Sequence, residues 1–174
     1  MKTFYLKQKV FSLTDRYKVY DGGQNVVFHC EGKMFSFTHR MDFYDSAKNE
    51  ALFTIKRQLL TLLPVYHLTA PDGNEVATVR KRFTVLKQKL DIESRYGDYT
   101  IEGDFFAHEF QISSSAGTVV EFRKKWISWG DSYEIAVHAE ENVAFFVALV
   151  VMIDDCLHDN EGKSGATIHI GGSH

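Results

Sequence analysis

Ammonium and guanidinium groups set close together take up carboxylates and phosphates, the guanidinium through two parallel N–H donors. In this chain they fall in four places: Lys7 and Lys9, Arg57, Arg80-Lys81-Arg82, and Arg123-Lys124-Lys125. Successive side chains of an extended chain point to opposite faces. Lys7, Lys9, Arg80, Arg82, Arg123 and Lys125 therefore share one face, and that face reads as solvated. Arg57, Lys81 and Lys124 share the other face with the apolar residues on either side of them. A buried cation is costly unless it meets a carboxylate, a water or an anionic ligand. Asp154 and Asp155 are candidate internal partners, and a bulge or a position at a rim is the plain alternative. The candidate ligand-binding residues are thus Arg57, Arg80, Lys81, Arg82, Arg123, Lys124 and Lys125.

Other chemistries find no matching pattern. Gly162-Lys163-Ser164 has the ending of a phosphate loop, but Leu157 stands where that loop needs glycine. The same residues lack the spacing of a nucleophile elbow. His158, His169 and His174 are spread through a Gly-rich tail with no Cys or His at metal-ligand spacing. No catalytic residue, cofactor or metal is expected. Trp126 and Trp129, three apart, fall on opposite faces of a strand, one toward the core and one toward a surface contact.

The basic clusters recur because the segments that carry them recur. Residues 6–13 (LKQKVFSL), 55–62 (IKRQLLTL), 79–86 (VRKRFTVL) and 122–129 (FRKKWISW) are four variants of one unit. In each, an apolar-x-apolar triplet begins eleven positions after the first residue: Tyr17-Lys18-Val19, Tyr66-His67-Leu68, Leu90-Asp91-Ile92 and Tyr133-Glu134-Ile135. A constant offset of this size predicts a strand, a turn and a returning strand, hence a β-hairpin in each unit. Residues 33–38, 42–44 and 99–102 are further strand candidates, and about a dozen short strands result.

The longest apolar run, residues 143–153 (VAFFVALVVMI), follows Glu140 and Glu141 and precedes Asp154 and Asp155. Its length and the lack of Gly or Pro from 140 to 158 predict a helix over 140–158, with the glutamates at its N-terminus. A helix apolar all round belongs in a core or a membrane. The run covers ~16 Å against a hydrocarbon slab of ~30 Å, so the core is expected. Many strands with one helix that resists exposure predict a closed barrel, which removes sheet edges and has room for the helix inside.

The 174 residues suit one domain, 1–158, with 159–174 a polar Gly-rich tail. A net charge of −3 argues against a surface adapted throughout to nucleic acid. Cys30 and Cys156 read as two inert thiols of an intracellular protein. The first twelve residues hold no apolar run of a secretory signal, and a cytoplasmic location is expected.

With hairpins and helix in place, the chain up to about His158 resembles the LURP-one-related family. The resemblance is carried by Gln8-Lys9-Val10-Phe11-Ser12 with Tyr17-Lys18-Val19-Tyr20-Asp21, and by Ala77-Thr78-Val79-Arg80-Lys81-Arg82-Phe83. Ile101-Glu102-Gly103-Asp104, Lys125-Trp126-Ile127-Ser128-Trp129-Gly130-Asp131-Ser132-Tyr133-Glu134-Ile135 and Met152-Ile153-Asp154-Asp155 complete it. It implies the tubby C-terminal fold shared with the phospholipid scramblases, a twelve-stranded barrel around a hydrophobic C-terminal helix. It implies little about activity, and most members have no assigned biochemical function. Tubby proteins bind phosphoinositides through basic residues, none of which aligns here one by one. The expected function is therefore a non-enzymatic binding module for an anionic ligand, such as a phospholipid headgroup or a phosphorylated molecule, peripheral at a membrane if that ligand is lipid. A protein-interaction scaffold without a small-molecule ligand is the alternative, and nucleic-acid binding is a second and less favoured one.

Overall fold

The computed structural model describes residues 1–8, 15–32, 40–58, 61, 63, 65–82, 89–104, 109–127 and 130–164. The expected strand at 33–38, Lys9, Trp129, His169 and His174 lie outside the described residues, as do the side chains of Arg82, Lys125 and Trp126. Twelve strands appear among the described residues: β1 (Lys2–Gln8), β2 (Asp15–Tyr20), β3 (Val26–Gly32), β4 (Arg40–Asp45), β5 (Glu50–Gln58), β6 (Val65–Thr69), β7 (Glu75–Arg82), β8 (Lys89–Ser94), β9 (Tyr99–Asp104), β10 (Glu109–Ser114), β11 (Gly117–Ile127) and β12 (Gly130–Val137). Each pairs antiparallel with the next in sequence, and β1 pairs with β12 to close the barrel.

The repeat is written into the register. The first residue of each unit lies opposite the end of its triplet: Leu6 faces Val19, Ile55 faces Leu68, Val79 faces Ile92 and Phe122 faces Ile135. All eight side chains are buried. Tyr17, Tyr66 and Tyr133 hold equivalent positions, opposite Gln8, Arg57 and Lys124. Their burial is not equal, since Tyr17 and Tyr66 are fully enclosed while Tyr133 is half-buried and stacks on Phe122 at 5.0 Å.

Polar turns build one end of the barrel. Asp21 Oδ1 accepts the backbone N–H groups of Gly23 and Asn25, both at 2.9 Å, and Asp72 Oδ1 accepts that of Asn74 at 2.9 Å. Such aspartate turns satisfy backbone donors that a tight reversal leaves over. Gly73, at φ 86°, supplies the left-handed residue of the second turn. On the wall, Gly103 lies opposite Phe110, and a Cβ there would stand 2.5 Å from Phe110 Cα and collide with the Glu109 carbonyl. Only glycine lets β9 and β10 approach this closely.

Helix α1 (Val143–Ser164) enters from the same polar end. It starts later than the charge pattern predicts: Glu140 and Glu141 are exposed in the connection, and its first turn has no acidic residue. Asn142, at φ 55°, turns the chain inward, and its carbonyl accepts the Phe146 N–H at 3.2 Å. The helix also runs past His158 to Ser164. Phe145 meets Tyr96 edge-on at 4.8 Å and Phe146 meets Tyr99 at 5.4 Å, which pins the helix entry beneath the β8–β9 turn. Phe145 to Ile153 are all buried and join the inward residues of the strands in one core. Burying this many apolar side chains at ~1.5–3 kcal/mol each makes α1 the largest contribution of any single element to the core.

Leu149→Asp should abolish soluble folding, because a carboxylate placed there meets only apolar side chains. Soluble expression of this variant with an unchanged melting temperature would show that α1 is not the core.

Candidate functional site

The barrel divides the basic residues by strand parity. Arg57 continues the inward row of Ile55 on β5, Lys81 that of Val79 on β7, and Lys124 that of Phe122 on β11. Their cross-strand partners are Tyr66, Leu90 and Tyr133, so all three hold the same position in three of the four repeated hairpins. Each is half-buried. The site lies at the end of the barrel opposite the polar turns, where the hairpins β5–β6, β7–β8 and β11–β12 reverse.

Arg80 and Arg123 face outward and are already engaged. Arg80 pairs with Glu93 at 2.7 Å, both exposed. Arg123 donates from Nε at 3.0 Å and from Nη2 at 2.8 Å to Glu134 Oε1. That pair is asymmetric, the Arg123 side chain being 53% exposed and the Glu134 side chain 6%. The hydrogen bond to Glu134, reinforced by its charge, holds the Arg123 guanidinium above its ordinary value. Arg82 lies opposite Lys89 in the ladder, and Lys89 pairs with Glu102. Lys125 lies opposite the buried Ser132.

The structure therefore places Arg57, Lys81 and Lys124 on the inner wall, on three separate strands, and Arg80 and Arg123 on the outside. Two carboxylates of α1, Asp154 and Asp155, are 0% and 3% exposed in the same interior. The triplet pattern gave no warning that Glu134 is buried, because the middle residue of an apolar-x-apolar triplet reads as solvated. Its cover comes from across the strand, a contact no local pattern encodes.

Two other polar clusters hold no anion site. A groove of about 420 Å³ on the outer wall is lined by Asp91, Glu93 and Asp98 with Thr100 and serines 113 to 115, and its carboxylates would repel an anion. On β6 and β7, His67 Nδ1 meets Glu75 Oε2 at 2.9 Å, while Nε2 meets Gln58 Oε1 at 3.1 Å. A general base needs its second nitrogen directed at a substrate, and Gln58 takes that place. Among the described residues no cluster of His, Cys, Asp or Glu is able to hold a metal. Among them, too, no helix is long and apolar enough to cross a membrane.

The sequence profile of the family described as LURP-one-related matches residues 2–154, nearly the whole barrel and its helix. The chain belongs to the LURP-one-related family. It is 33% identical over 164 residues to the uncharacterized protein YxjI of Bacillus subtilis (strain 168), covering 94% of this chain and 99% of that one. No solved structure matches it. The match ends at Asp154, so the family pattern takes in the first carboxylate of the buried pair.

Arg123→Ala should lower the melting temperature measurably, since it removes the guanidinium that bonds the buried Glu134 twice, whereas Arg80→Ala, at an exposed pair, should leave it nearly unchanged. Equal losses in thermal denaturation would contradict the asymmetry. Stability should also depend on Glu75. The Thr78 hydroxyl donates to it at 2.7 Å and holds its carboxyl below the ordinary glutamate range, with burial opposing and His67 assisting. A depressed folded value stabilises above the unfolded one and is lost as pH falls through the carboxylate range. Urea denaturation at stepped acidic pH should therefore show a shallower decline for Glu75→Gln than for wild type.

Proposed function

We propose that this LURP-one-related protein is a non-enzymatic binding module that takes up an anionic group, a phospholipid headgroup in its most specific form, at the barrel end where Arg57, Lys81 and Lys124 face inward. The reading rests on one observation: three cations recur at one hairpin position, half-buried, on the inner wall of a single barrel end. Half-burial lowers the local dielectric and strengthens attraction to an anion, while leaving the groups reachable. Arg82 and Lys125 stand one residue further along two of the same strands, toward the same end. Arg80 and Arg123, engaged with glutamates, contribute less than sequence alone suggests. On this reading the protein works in the cytoplasm, peripherally at a membrane surface. The outward ion pairs favour a second reading, a protein-interaction scaffold whose basic stripes are only solvated faces.

Vesicles of phosphatidylcholine with phosphatidylserine should bind the protein, and pure phosphatidylcholine vesicles should not. Binding should weaken from low salt to physiological ionic strength, where charges are screened beyond about 8 Å. Replacing Lys81 and Arg82 together by Gln removes two charges, each worth about 1 kcal/mol near an anionic surface, and should lower affinity roughly thirtyfold with the fold intact. Competition by inorganic pyrophosphate alone would identify a soluble phosphate compound as the ligand. No binding of the wild type to either probe at low salt would overturn the anion reading and leave the scaffold ahead.

A further inference from the structure

The repeated unit of the sequence holds more than its basic residues. In all four copies the basic stretch runs directly into an apolar one: KVFSL from Lys9, RQLLTL from Arg57, RFTVL from Arg82 and KWISW from Lys125. Antiparallel strands that each pair with the next in sequence leave their connections alternately at the two ends of the barrel. The connections at the end where α1 enters are 21–25 (DGGQN), 46–49 (SAKN), 70–74 (APDGN), 95–98 (RYGD), 115–116 (SA) and 138–142 (HAEEN), and they are mainly polar. Those that follow β1, β3, β5, β7, β9 and β11, at the opposite end, read KVFSLT, KMFSFTH, LLTLLP, FTVLKQ, FFAH and SW. The topology thus gathers the apolar connections at the end that also carries the basic stretches.

Closing the core does not call for apolar sequence on this scale. At the polar end the helix entry is covered by Tyr96, edge-on to Phe145 at 4.8 Å, and the turns around it stay polar. At the other end α1 itself runs on to Ser164. Leu63, a described residue of the β5–β6 connection, is half-buried and outside the core, and so is Val65 at the start of β6.

Apolar patches rimmed by charge mark contacts with protein or lipid, and the order along the strands favours lipid. At ~3.3 Å per residue, three basic residues in a row lie within ~10 Å of the apolar connection that follows them. An amphipathic segment at a bilayer surface sinks its apolar part ~5–10 Å into the boundary between headgroups and acyl chains and keeps its cations among the headgroups. We propose that the barrel end at which β1, β3, β5, β7, β9 and β11 finish is the face that meets a bilayer. Its apolar connections enter the lipid boundary, and the basic residues behind them meet anionic headgroups. This rests on the anion-binding reading proposed above and commits it to a lipid surface rather than a soluble phosphate compound. Stable attachment to a membrane takes two signals, and each copy of the repeat supplies both. A neutral vesicle answers only one of them.

The two tryptophans of the chain, Trp126 near the end of β11 and Trp129 two residues beyond it, belong to this end, so their emission reports on it without a label. Vesicles of phosphatidylserine with phosphatidylcholine brominated on its acyl chains should quench that emission. Leu63→Gln, neutral and outside the core, should keep the wild-type melting temperature and bind phosphatidylserine-containing vesicles several-fold more weakly. Ala47→Gln, on an exposed turn at the opposite end, should bind as the wild type does. Wild-type binding that bromine leaves unquenched and that Leu63→Gln matches overturns the lipid-facing end and leaves headgroup recognition standing. A loss shared equally by Ala47→Gln overturns it as well. If the wild type binds pyrophosphate but no vesicle, the lipid-facing end is refuted and the anion reading survives for a soluble phosphate; if it binds neither, both fall.

Discussion

An apolar helix that cannot face water on any side dictates the architecture around it. A flat sheet would cover one face of α1, and two sheets would leave open seams. A twelve-stranded wall that closes by pairing β1 with β12 encloses α1 from Phe145 to Asp155 and leaves no unpaired edge among the described strands. The inward rows of the strands are apolar for that reason, and the core formed by Phe145 to Ile153 with those rows is continuous. The glycine at 103 belongs to the same requirement, because β9 and β10 must draw together for the wall to close.

The fold was legible because its unit repeats. Four segments with one offset predicted four hairpins, and the register pairs Leu6 with Val19, Ile55 with Leu68, Val79 with Ile92 and Phe122 with Ile135. Among the described side chains, period-two alternation also agrees with the exposure of Arg80 and Arg123 and the half-burial of Arg57, Lys81 and Lys124. What alternation does not carry is the surroundings of each position. Tyr133 reads like Tyr17 and Tyr66 but is less enclosed. Glu134 reads as solvated and is buried beside Arg123. The helix start was misjudged for a related reason: the charges of Glu140 and Glu141 suit a helix N-terminus, but the left-handed turn at Asn142 has to precede the helix for the chain to enter the barrel.

The candidate site was legible only in part. Sequence alternation sorts the basic residues by face but not by partner, and among the described side chains the structure adds what meets some of them. Arg80 and Arg123 spend their charge on glutamates across the outer ladder. Arg57, Lys81 and Lys124 share the interior with the carboxylates of α1. Membership of the LURP-one-related family agrees with the fold and brings no activity with it, since the relative YxjI is itself uncharacterized. The chemistry of the inner wall is thus the most specific guide to function that the molecule offers.

The pairing of β1 with β12 has a consequence for how the chain assembles. Hairpins such as β11–β12 join residues near in sequence and close quickly, but Lys2 must find Val137, and α1 emerges from the ribosome later still. Before α1 arrives the inward apolar rows lack the partner they pack against, so nothing holds the wall tightly closed. During synthesis the chain therefore passes through an open, curved sheet whose apolar concave face and two free edges await the last segment. That is the stage most exposed to aggregation, and a ribosome-bound chain ending before Val143 is the species on which a chaperone would act.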